Sequence, residues 1–211
     1  NPVASTQQSK IGQNIGMCVA SRFKVYNKNA VNDKIRNPEV LIYALQNKEA
    51  ALQQNLNKEN IGMQLILNIE RVPDYIISYA LKNKEASLQQ DNCGRNMGMI
   101  LVDKEGPVEL ILESMENEES LKQKDMNGAT IFSKCENKDR DDVFVEMFNR
   151  GLDKNPIFNE HIVSFEENED NEWESNDIND LKLGLEKRFN ESLELNEEKE
   201  SLITDESVME E

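Results

Sequence analysis

The sequence predicts an all-α fold: a row of repeated helical hairpins, followed by an acidic tail that contains one amphipathic helix. Three observations predict it. One phrase recurs along the chain, a second phrase recurs in register with it, and an apolar stretch of helical spacing follows each copy of the second phrase.

The first phrase is Asn-Lys-Glu-Ala-Ala-Leu-Gln-Gln at residues 47–54, Asn-Lys-Glu-Ala-Ser-Leu-Gln-Gln at 83–90, and Asn-Glu-Glu-Ser-Leu-Lys-Gln at 117–123. Its leucines, Leu52, Leu88 and Leu121, stand 36 and 33 residues apart. A period of roughly 33 residues belongs to stacked helix–turn–helix arrays. A single unit of that kind cannot bury its apolar face, so stacking makes the core and leaves a long open surface. That favours a binding module over an enzyme.

The second phrase covers residues 12–17, 58–63, 94–99 and 128–133, with Asn14, Asn60, Asn96 and Thr130 at equivalent places. Their side-chain oxygens suit the N-cap of a helix, where an orphan N–H needs an acceptor. Gly94 and Gly128 follow Cys93 and Asn127, and Asn-Gly is a strong turn signal because Gly accepts positive φ. Gly106-Pro107 punctuates the step to a second helix. Leu41, Ala44 and Leu45, and likewise Ile77, Ala80 and Leu81, stand at i, i+3, i+4 spacing and give each second helix one apolar face. The expected order in each unit is turn, short helix, loop, second helix, connecting loop. Four units span residues 8–155.

These units resemble ankyrin repeats. Asp125-Met126-Asn127-Gly128-Ala129-Thr130 matches the family's opening Asp-x-x-Gly-x-Thr best, and Asp91-Asn92-Cys93-Gly94 keeps part of it. The family's Thr-Pro-Leu-His core is not kept. Its Thr is mostly Asn here, its Pro is Ile or Met, and Gly and Met replace Leu and His in three units. Gly in a first helical turn costs roughly 0.5–1 kcal/mol relative to Ala. Met17, Met63 and Met99 follow those glycines and are flexible enough to fill the space. Another helical-hairpin array of similar period is the competing reading. The resemblance implies a solenoid that binds partners through its turn tips and first-helix face. By residue match the tips are Leu56-Asn57, Asn92-Cys93 and Met126-Asn127, flanked by Arg95 and Lys124, which would steer an acidic partner.

The first unit carries an insertion near residues 23–37, basic and Asn-rich, with Phe23 and Tyr26. Insertions in such arrays map to loops, and some of those loops bind. A tolerated surface loop is the plainer reading. Residues 1–165 form the repeat domain and 166–211 the tail. Of the net charge of −17, the tail's 18 acidic and 4 basic residues supply −14. The repeats therefore lack the concentrated basic face that nucleic-acid binding needs. The tail opens with an acidic linker around Trp173. It continues with Ile178, Leu181, Leu185, Phe189 and Leu193, a helical stripe that either caps the last repeat or meets a partner.

The search for chemistry is negative. Cys18, Cys93 and Cys135 form no close pair, and His161 is the single histidine, so neither a disulfide framework nor a metal set is expected. Cys93 or Cys135 with His161 is a conceivable nucleophile pair, against the plainer reading of Cys93 as a turn residue and of Cys18 and Cys135 as small core residues. No catalytic, cofactor-binding or metal-binding residue is assigned. No apolar run is long enough to cross a membrane. Reduced cysteines point to a cytoplasmic setting. The chain starts without Met and soon enters a repeat, which suggests a fragment of a longer protein. Its Asn, Lys and Ile usage points to an AT-rich genome, and together with the divergent ankyrin-like repeats it is similar to proteins that intracellular bacteria deliver into host cells. Three functions stay open: a module that binds another protein, an acidic decoy for a basic protein, and the regulatory arm of an enzyme lying outside this chain.

Overall fold

Asparagine starts the helices of this chain. In the computed structural model, which describes residues 6–22, 38–151 and 156–157, Asn14, Asn60 and Asn96 each accept the N–H three residues on, at 2.9–3.0 Å. Thr130 does the same for Ser133, whose hydroxyl accepts the Thr130 N–H in return, a capping box. The four caps stand where the second phrase places them.

The helices are α1 (Ile15–Arg22), α2 (Pro38–Gln46), α3 (Lys48–Leu52), α4 (Ile61–Ile66), α5 (Asp74–Leu81), α6 (Lys84–Ser87), α7 (Met97–Asp103), α8 (Val108–Met115), α9 (Glu118–Lys122), α10 (Ile131–Asn137) and α11 (Asp141–Asn149), with a 3-10 turn at Ile69–Arg71. No strand occurs among the described residues. The fold is all-α and repeat-like. The insertion at 23–37, His161, Trp173 and the stripe from Ile178 to Leu193 lie outside the described residues.

The first three modules each have three helices where two were expected. The phrase taken for a connecting loop forms α3, α6 and α9. Asn47 and Asn83 cap the first two by accepting the N–H of Ala50 and Ala86. The register also differs from the leucine match. The module cap Asn60 bonds the Ala86 carbonyl as Asn96 bonds that of Ser120, so Leu121 is the counterpart of Ser87 and not of Leu88. Leu121 fills the buried slot of Ala51 and Ser87, while Lys122 takes the outer place of Leu52 and Leu88. The three copies are then 36 and 34 residues apart, counted from Asn47 to Asn83 to Asn117.

The chain divides into two compact units, residues 1–138 and 139–211. In the first, like helices neighbour like: α1, α4, α7 and α10 form one row, α2, α5 and α8 a second, and α3 and α6 meet in a third. The apolar faces of α2 and α5 are buried as their spacing predicts, including Leu41, Ala44, Ile77 and Ala80. Each large aliphatic side chain among them contributes about 1.5–3 kcal/mol. Met17, Met63 and Met99 are fully buried too. The room beside the helical glycines, however, is taken by the next module. A Cβ on Gly16 would lie 2.6 Å from Ile61 Cδ1, and one on Gly98 2.7 Å from Ile131 Cδ1. Of the second unit, α11 and the turn to Gly151 are described, with Val143, Phe144, Met147 and Phe148 as its buried stripe.

Candidate interaction surface

The turn tips are built by one device used three times. Asn55, Asp91 and Asp125 each turn a side-chain oxygen back onto the N–H groups two and four residues on, at 2.8–3.0 Å. Short polar side chains make such local bonds readily. The carbonyl of the same residue accepts the N–H three residues on, from Lys58, Gly94 and Gly128. Those three residues adopt positive φ, of 58°, 76° and 83°. Lys58 thus occupies a place that suits glycine.

Backbone bonds tie each tip to the one before it. Leu56 N–H donates to the Ile11 carbonyl at 3.3 Å, Asn92 to Asn57 at 3.0 Å, and Met126 to Cys93 at 2.9 Å. A glutamine row runs beside them: Gln8, Gln54 and Gln90 each donate across to the next module, to Gln54, Gln90 and Lys124 carbonyls. The residues Leu56, Asn57, Asn92, Cys93, Met126 and Asn127 are therefore brought side by side, and all are exposed. Leu56 is 70% and Met126 77% exposed, high values for such side chains. Lys124 is exposed at the edge of the row.

Arg95 is placed differently. Its guanidinium grips Asp91 at 2.7 Å and Asp103 at 3.0 Å, and Asp103 also meets Lys134, which reaches Asp125 at 3.1 Å. The charges form a chain that joins the turn of one module to the first helix of the next. Asp103 sits at the C-terminal end of α7, where a carboxylate opposes the helix dipole, and the two cations offset that. Burial alone would raise the Asp125 pKa, yet bonds from the Ala129 N–H and the Lys134 ammonium hold it below the usual 3.8. Burial works against the cations as well, but their carboxylate partners raise Lys134 and Arg95 above their ordinary values. Arg95 is thus engaged within the module stack, and reversing its charge would disturb the stack itself.

The first-helix face offers little. Every residue of α4 is buried, as is every residue of α7 except Asp103. Cys18 is half-buried, Cys93 exposed and Cys135 buried, all as free thiols. Among the described residues no group of His, Cys, Asp and Glu is arranged to hold a metal ion, and no helix is long and apolar enough to cross a membrane.

Sequence reasoning missed the glutamines. Gln53, Gln89 and Gln123 each donate to a carbonyl of the previous module, at Thr6, Leu52 and Leu88, all at 2.7 Å. Their recurrence inside the repeated phrase, at a place where no helix or turn rule asks for Gln, was the signal. The same signal extends to Gln7-Gln8, an unrecognised first copy. Compared with protein-family models, with curated proteins and with solved structures, the chain matches none.

Proposed function

We propose that this chain is an ankyrin-like protein-binding module that engages another protein through its row of turn tips. The observation that carries the reading is the pair Leu56 and Met126, large, apolar and exposed, on tips whose backbones are already tied together. A partner that covers them removes apolar surface from water. Because the turns are held by their own hydrogen bonds, little ordering entropy is lost on binding. The period near 34 residues and the glycine-bearing tips favour the ankyrin type. The third short helix in the first three modules and the buried first helices α4 and α7 depart from it, so the tips carry the proposal without the first-helix face. No residue is assigned a catalytic role.

The test is a binding assay with the full chain and the double variant Leu56→Ser, Met126→Ser, on a partner recovered from cell lysate. The expected result is at least a tenfold loss of affinity with an unchanged Tm, since both side chains lie mostly in water. Unchanged affinity removes the tips from the reading. Loss of the partner on deleting residues 166–211, with release by salt, favours the acidic tail, whose net charge of −14 would attract a basic protein.

A further inference from the structure

The contact between modules is made from repeated parts, and one face carries half of the set. Ile61, Met97 and Ile131 open their first helices, are at most 1% exposed, and seat their ends on Gly16, Gly62 and Gly98 of the preceding module. Ile15 opens α1 at the same place and is 47% exposed. In the second row, Ile76 and Leu110 are buried, whereas Val40, their counterpart, is only partly buried. Gln53 and Gln89 accept from the module caps Asn14 and Asn60, at 3.0 and 2.9 Å. Gln7, the copy before them, stands exposed. The segment carrying Gln7 is nonetheless in place: Gln53 bonds the Thr6 carbonyl as Gln89 bonds that of Leu52. Thr6 to Gln8 therefore lie where the closing residues of a preceding module lie.

We propose that the face made by Gln7, Ile15 and Val40 seats one more helix pair of the same repeat type, joined through Thr6. The occupant carries Asn-x-Gly. Its glycine receives the end of Ile15, and its asparagine amide meets the Gln7 side-chain oxygen. A second copy of this chain stacked head to tail does not satisfy the face. Its last module has Thr130 in place of the asparagine and Phe132, 1% exposed, in place of the glycine.

Two measurements test this. In the chain as it stands, Ile15→Glu changes Tm by no more than a degree or two, because about half of the residue already lies in water. A fall of several degrees would overturn the proposal by showing that another segment of the chain, such as residues 23–37, already covers the face. In a chain extended by a duplicate of residues 55–86 inserted ahead of Ser5, the unfolding transition stays single and Tm rises by about 5 °C. There Ile15→Glu lowers Tm, and the gain is lost when the duplicated Gly62 is changed to Phe. An added segment that melts separately, or an extended chain indifferent to both substitutions, would overturn the seat.

Discussion

One asparagine does the work of three groups. Asn60 is fully buried; its oxygen caps α4 at Met63, while its amide donates to the Ala86 carbonyl at 2.8 Å and to Gln89 at 2.9 Å. Every polar atom of the side chain is used, as burial demands. Thr can replace the cap but not the two donors. Asn60→Thr is therefore expected to cost about 2–3 kcal/mol by urea unfolding, because it leaves a buried carbonyl and a glutamine oxygen without donors. Asn60→Asp keeps the acceptor but sets a carboxylate against two oxygens, and it should cost more, with a loss that shrinks in acid. A cost below that of Thr would contradict the bonding. Gly98 gives a test of sign. In an ordinary helix Gly→Ala stabilises by about 1 kcal/mol. Here the new methyl meets Ser114 Oγ at 2.6 Å and Ile131 Cδ1 at 2.7 Å, so Gly98→Ala should destabilise by about 1–2 kcal/mol. Stabilisation in thermal melts would refute the seat. Asn as a cap was legible in the sequence. The bridging amide was not, because in the three modules its partners lie 24 to 39 residues away and no local rule reaches them.

Elements are joined in two ways along the stack. All modules use neutral amides such as Gln53 and Gln89, an exposed Lys48–Glu85 pair joins the first two, and the third and fourth add the half-buried ionic chain Asp91–Arg95–Asp103–Lys134–Asp125. Its pH dependence follows from the shifts. Asp125 is held below 3.8, so the stability it adds is full above that value and is lost as pH falls through its lower folded value. Lys134 is held above 10.5, so its share is full below that value and is lost as pH rises through the folded one. Asp125→Asn separates the two duties of this residue. Asn55 already builds the same turn in the second module, so the turn survives while the bond to Lys134 loses its charge. The expected cost is about 1.5 kcal/mol at neutral pH, vanishing in acid below the ordinary carboxylate range. A cost independent of pH would show that the turn, and not the ion pair, was lost. Sequence reading offered Arg95, beside a turn, as a charge that would steer an acidic partner; in the structure its guanidinium is paired with Asp91 and Asp103, four and eight residues away.

At the scale of the molecule, the row of tips and the face at Ile15 are two of the surfaces on which large apolar side chains stay exposed among the described residues. They make separable predictions: loss of Leu56 and Met126 should affect a partner and not Tm, while Ile15 should matter to Tm only when a further helix pair is added. The all-α class, the period, the cap positions and the apolar faces of α2 and α5 were legible in the sequence, because each follows from the spacing of neighbours along the chain. The third helix of the first three modules was hidden by its length: Lys84–Ser87 is four residues, too short for a periodic pattern. What the sequence by itself determined is where helices begin and which side of each is apolar, since caps and periodicity act over a few residues. Only the tertiary structure decided why glycine stands in three first helices and which glutamines cross between modules, because those depend on side chains more than thirty residues apart meeting once the modules stack.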